Sequence, residues 1–118
     1  MHRRTLPAAL GATLLAHRAL AQDSWPTRPI TLVVPWAPGG SNDVVARLVA
    51  PALSERLGQS VVVENRPGGG GSIGMGQVAR ARPDGHALLI SSASNHVFHP
   101  LVSPDLGYDV REALHGIA

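Results

Sequence analysis

The chain has 118 residues, 44% of them hydrophobic and 15% charged, with 13 Gly, 10 Pro and no Cys. That length allows a single domain, and the apolar content with a net charge of only +2 excludes a disordered chain. The lack of Cys excludes disulfides and thiolate metal sites, and no apolar run reaches the ~18–20 residues of a membrane-spanning helix.

The first segment has the three parts of a secretory leader. Met1 to Arg4 is a basic start, Leu6 to Ala16 is a short apolar stretch, and Ala19-Leu20-Ala21 is a small-x-small cleavage site. Cleavage is expected after Ala21, so that residues 1–21 are leader and residues 22–118 the exported chain. Arg3-Arg4 leaves both the general and the twin-arginine export route open. Removing Arg3, Arg4 and Arg18 leaves seven Arg against eight Asp and Glu, and the formal charge moves from +2 to −1. The basicity therefore belongs to the leader. With four aromatic residues in the whole chain, a nucleic-acid partner is not expected.

From Gln22 to Pro29 the chain is polar and Pro-rich, as suits an extended lead-in. Ile30 to Val34 is a β-branched, apolar run of the kind buried on both faces of a parallel sheet. A helix is predicted from Asn42 to Leu57, with Val45, Leu48, Val49, Ala52, Leu53 and Leu57 as its buried stripe. Pro51 should kink it, and Gly58 should stop it. Ser60 to Glu64 is the second predicted strand. Ser72 is placed to cap a helix over Ile73 to Ala81, and His86 to Ser91 is the third strand. From Ser92 onward the pattern becomes irregular, with a lead-in to a further element before Ala118. Strands alternating with helices through short connections imply right-handed crossovers, so the fold class is α/β, a βαβαβ parallel-sheet unit. Three strands and two helices make a thin sheet with open edges, as in the first part of a larger domain.

Two glycine loops and one serine-rich stretch are candidates for chemistry. The first loop is Pro38-Gly39-Gly40-Ser41-Asn42-Asp43, at the carboxyl end of the first strand. Glycines there let a ligand approach the backbone, and a helix start aims free N–H groups and a positive dipole end at a carboxylate or phosphate. The same residues also fit an ordinary capped turn. Asp43 is open to capping, to holding a bridging water or to meeting a ligand donor. The second loop, Gly68 to Gly74, contains G-x-G-x-x-G read from Gly69. It follows the second strand rather than the first, and HALLIS does not end in the acid that would hold a ribose. Close packing or a second wall of a cleft is therefore expected, and no cofactor. The third stretch, Ser91 to His96, ends the third strand; the hydroxyls of Ser92 and Ser94 and the Asn95 amide should face the same crevice as the first loop. His96 and His99 are spaced H-x-x-H, without a third ligand of suitable spacing, so no metal is expected. No catalytic residue is assigned: there is no G-x-S-x-G, no H-E-x-x-H and no Cys nucleophile. Export, a parallel unit and an anion-friendly loop favour a small-molecule binding protein. A small exported enzyme using the glycine loops for a nucleotide or phosphorylated substrate, or a non-functional remnant, are the alternatives.

Trp25-Pro26-Thr27-Arg28-Pro29-Ile30 and Val33 to Gly40 with Asp43 resemble the opening of the Bug receptors. These are the substrate-binding proteins of tripartite tricarboxylate transporters, the TctC family. Leu57-Gly58-Gln59, Val61 to Gly68, Gly70-Gly71, Ile73-Gly74, Pro83-Asp84-Gly85, the serine-rich end of the third strand with His96, and Tyr108-Asp109 continue the match in order. Ser72 departs from it, standing where the family has Asn. The resemblance implies a periplasmic receptor whose two α/β lobes close over a small carboxylate: a di- or tricarboxylate, an amino acid or an aromatic acid. It implies that Pro38, Gly39, Gly40, Ser41, Asn42 and Asp43 grip the carboxylate and that Ser92, Ser94, Asn95 and His96 line the same cleft. It further implies a two-subunit membrane permease as partner and a monomeric receptor when complete. Family members are near three hundred residues, so residues 22–118 are expected to be the first part of lobe 1 of a truncated receptor.

Overall fold

The computed structural model describes residues 24–117; the leader and its cleavage site lie outside them. Five residues, Ile30–Val34, form strand β1, which is nearly fully buried because it has a strand on each side and a helix on each face. It is followed by helix α1 (Ser41–Leu57), strand β2 (Val61–Asn65), a 3-10 turn (Gly69–Gly71), helix α2 (Ser72–Arg80) and strand β3 (Ala87–Leu89). The sheet order is β2-β1-β3, all parallel. Ile30 sits opposite Val61 and Val34 opposite Asn65, while Thr31 to Val33 run beside Ala87 to Leu89. The ladder extends past the strands through Arg66 N–H to Val34 O (2.8 Å) and Ile90 N–H to Val33 O (3.0 Å).

The chain leaves β1 toward one neighbour and later returns past it to the other. With right-handed crossovers this order puts α1 on one face of the sheet and α2 on the other. Alternate side chains of β1 accordingly serve different layers. Ile30, Leu32 and Val34 pack with Ala46, Ala50 and Val61. Val33 is equally buried but lies outside that cluster, and on α2 Gly74, Met75 and Gly76 are buried. Gly74 brings α2 close to the sheet: a Cβ there would lie 2.8 Å from Arg66 O and 2.9 Å from Pro35 Cα.

Three expectations need correction. The buried stripe of α1 is Asp43, Ala46 and Ala50, with Leu53 and Leu57 half-buried, whereas Val45, Leu48 and Val49 are 49%, 73% and 38% exposed. Small alanines let the helix lie close to β1, and the larger residues are turned more than a third of a turn away. Ser72 is the first residue of α2 and not its cap; Gly71 occupies the cap position, and no side chain caps the helix. Beyond Ser92 the chain is only partly irregular, over residues 103–109 and 114–117. A π-helical turn (Ser94–Phe98) runs into the short helix α3 (His99–Val102), and a final turn α4 (Val110–Ala113) is capped by Asp109, which accepts the Arg111 N–H at 2.8 Å. The stop of α1 is as expected: Gly58 has φ +69° and returns its N–H to Ser54 O at 3.0 Å. Among the described residues, no helix is long and apolar enough to cross a membrane.

Candidate ligand-binding site

Because all three strands are parallel, the loops that follow them gather at one end of the sheet. The chain reverses direction across β1, which makes the gap between the carboxyl ends of β1 and β3 the switch point where such sheets bind ligands. The loop after β1 (Pro35–Gly40) and the stretch after β3 (Ile90–Asn95) flank that gap. The glycine turn after β2 supports the first loop from the other side.

The start of α1 is open. Pro38, Gly39, Gly40 and Ser41 are exposed and Asn42 is half-buried. Val44 N–H makes the first helical bond, to Gly40 O at 3.0 Å, and no side chain caps the helix. The amides of Ser41, Asn42 and Asp43 therefore have no helical acceptor, and a helix of 17 residues stands behind them. Gly39 has φ +91°, a conformation that favours glycine. Gly40 is different: its φ is −75°, and a Cβ there would meet only Ala37 O, at 3.7 Å. Neither backbone nor packing requires glycine at position 40.

Asp43 points inward. It is 3% exposed, and its carboxylate accepts the Gly39 N–H (2.9 Å), both oxygens accept Arg47 Nε (3.1 Å each), and Oδ1 accepts Asn65 Nδ2 (2.9 Å). Arg47, then the Gly39 amide and Asn65, hold the carboxyl down at about 2, well below its ordinary 3.8. Arg47 also balances its charge, so an anion arriving at the helix start does not meet a bare carboxylate.

The stretch after β3 is divided. Ser94 and His96 are exposed and Ser92 is half-buried. Asn95 is 2% exposed; its Oδ1 accepts from Ser92 Oγ (2.9 Å) and its Nδ2 donates to Gly70 O (3.3 Å). The Ser92 and Ser94 hydroxyls pair at 2.7 Å. Asn95 thus ties the third loop to the glycine turn, and His99 lies beside Gly70 while His96 faces outward.

The glycine turn itself is held by backbone shape. Gly68, Gly69, Gly70 and Gly71 all have positive φ, and a Cβ on Gly71 would overlap the Asn95 amide. Its closing bond runs from Gly71 N–H to Gly68 O at 3.0 Å. These contacts agree with the close-packing reading of that loop. Sequence reasoning misses Asn65 and Arg47, which complete the first loop from β2 and from the next turn of α1. The only signal for Asn65 is a carboxamide at a strand end, and its partners are 22 and 29 residues away.

The receptor family of tripartite tricarboxylate transporters matches residues 45–118, well over half of the chain. Protein BugT of Bordetella pertussis is 42% identical over 118 residues, covering 97% of this chain and 36% of BugT. An R. palustris protein solved with adipate is 45% identical with a TM-score of 0.69, covering 74% of this chain and 29% of that one. MatC of Rhodopseudomonas palustris, solved with bound malate, is 38% identical with a TM-score of 0.71, covering 75% and 30%. The chain spans about a third of the length of the curated relatives it matches. The sheet order, the ordered motifs and these matches agree: the chain belongs to the receptor family of the tripartite tricarboxylate transporters.

Proposed function

We propose that this chain is the first part of an exported, periplasmic solute-binding receptor for small carboxylates, which delivers its ligand to a membrane permease. The observation that carries the reading is the uncapped start of α1 at the switch point of the sheet. There the amides of Ser41 and Asn42 have no helical acceptor, beside a glycine that the fold itself does not require. Backbone N–H groups with a helix dipole behind them suit a carboxylate and need no cationic side chain. Relatives of matching fold have been solved with adipate and with malate, both dicarboxylates.

Pro38 to Asp43 form the gripping edge, and Ser92, Ser94 and His96 form the adjoining wall. Asn95 acts behind that wall. The chemistry is capture and release of a ligand: no group at this edge is arranged as a nucleophile with a base, so the protein is read as a receptor and not an enzyme. The permease subunits and the leader cleaved after Ala21 belong to the same proposal.

The test is calorimetric titration of a complete two-lobed receptor that carries this chain as its first part, with malate, adipate and citrate, beside ATP and a neutral diamide of matched length. Saturable heat with the dicarboxylates and none with the diamide supports the reading. Binding of ATP with silence across the carboxylates would replace it with a nucleotide site at the glycine turn.

A further inference from the structure

The first loop is anchored at two points by side chains that lie behind it. At one end Asn65 Nδ2 donates to Trp36 O at 3.1 Å; at the other Asp43 accepts the Gly39 N–H at 2.9 Å. The two anchors are joined, because the same Asn65 Nδ2 donates to Asp43 Oδ1 at 2.9 Å. Arg47 closes the arrangement, with Nε on the Asp43 carboxylate and Nη2 on Asn65 Oδ1 at 3.0 Å. Asp43 itself is nearly fully buried, and Asn65 is half-buried at the end of β2.

This geometry matters because the loop has little else to hold it. Ala37 to Gly40 are exposed, Gly39 adopts a conformation that only a few residue types share, and no side chain caps the helix start. A loop of that kind samples several shapes unless something fixes its ends, and each extra shape costs binding free energy when a ligand must select one. Hydrogen bonds from two elements, Asp43 and Arg47 on α1 and Asn65 at the end of β2, fix it without occupying the amides of Ser41 and Asn42.

We infer that Asp43 and Asn65 are positioning residues: they hold the Trp36–Gly40 loop in the shape that presents the start of α1 to a carboxylate, and they do not touch the ligand. The inference rests on the carboxylate reading of that loop and reassigns Asp43 from gripping the ligand to shaping the grip. It also explains how an acidic residue sits in the first turn of an anion-binding helix: its carboxylate is turned away from the open side and covered by Arg47, Asn65 and the Gly39 amide.

The experiment compares Asn65→Ala, Asp43→Asn and Ser54→Ala with the parent, each in a complete two-lobed receptor that carries this chain as its first part, by residue-resolved amide hydrogen exchange, urea midpoint and malate titration. Ser54 is the control for a merely structural loss, since its hydroxyl accepts Val61 N–H and donates to Ala50 O, both at 2.8 Å and away from the loop. The expected result is faster exchange at Gly39 and Gly40 in Asn65→Ala and Asp43→Asn, with malate affinity lowered about tenfold or more. Ser54→Ala should lower the urea midpoint and leave both readouts unchanged. Unchanged exchange at Gly39 in both loop variants overturns the inference. So does an affinity loss that Ser54→Ala reproduces in proportion to its loss of stability. If a complete receptor carrying the unsubstituted chain binds no carboxylate, the proposed function falls, and the exchange comparison still decides whether the pair holds the loop.

Discussion

The two glycine loops look alike in sequence and are built in opposite ways. In the turn after β2, all four residues from Gly68 to Gly71 have positive φ, and the side-chain space of Gly71 and of Gly74 beyond it is taken by Asn95, Pro35 and Arg66. Glycine is required there by the fold. In the loop after β1 only Gly39 has such a conformation; Gly40 has an ordinary backbone and room for a Cβ, and shape is imposed from behind by Asp43 and Asn65. A glycine that folding explains leaves nothing over for a ligand, whereas one that folding does not explain marks where something else approaches. By that criterion the longer glycine run is structural, which supports the proposal that the shorter one is the binding edge.

The comparison breaks most readily at Gly74. Gly74→Ala puts a Cβ within 3 Å of two backbone atoms, Arg66 O and Pro35 Cα, and must push α2 off the sheet; a loss of about 3 kcal/mol or more in urea unfolding is expected. Gly71→Ala combines a φ of +96° with displacement of the Asn95 amide and should cost about 2–3 kcal/mol. Gly40→Val is the opposite case. It should leave the urea midpoint within about 0.5 kcal/mol of the parent, yet abolish dicarboxylate binding in calorimetry, because the side chain fills the approach to the Ser41 and Asn42 amides. Equal destabilisation by Gly40→Val and Gly71→Ala would erase the distinction between the loops.

Asp43 adds a pH dependence. Folding lowers its carboxyl from 3.8 to about 2, so its contribution is complete above pH 4 and is lost as the pH falls toward 2. Between those values the parent should lose stability more steeply than Asp43→Asn in acid-unfolding curves. Parallel curves would mean that the loop's anchor is not the ionised carboxylate. The smallest effect is expected on the outer side of α1, where Leu48→Lys should change stability by less than about 0.5 kcal/mol because Leu48 is 73% exposed.

Much of this architecture is legible from the chain alone. Ile30–Val34 is bounded as the β-branched run suggests, α1 starts one residue early and ends where expected, β2 and α2 are each displaced by a single residue, and β3 keeps only three of the six residues expected for it. Short strands between Pro and Gly punctuation leave little freedom in those positions. The burial face of α1 is not legible. Two stripes share Leu53 and Leu57, and apolar content favours the one through Leu48 and Val49, while close approach to β1 selects the one through Ala46 and Ala50. Ranking by hydrophobicity fails where the sheet needs small residues. The segment after Ser92 reads as loop because Ser, Asn and Pro dominate it, and the wider π-helical spacing of Ser94–Phe98 matches neither the helix nor the strand period. At the proposed binding edge, Pro38 to Asp43 stand out through glycine and position. Asn65 does not, because its role exists only once β1 and β2 lie side by side with Val34 opposite Asn65.

The distinction between the loops is tested most directly by following the backbone amides of this chain by NMR, within a complete receptor that carries it as its first part, during a malate titration. The account predicts saturable shifts centred on Gly40, Ser41, Asn42 and Asp43, with smaller ones at Ser92 and Ser94 and little change from Gly68 to Gly71. Shifts centred on Gly68 to Gly71, with the start of α1 unmoved, would contradict it.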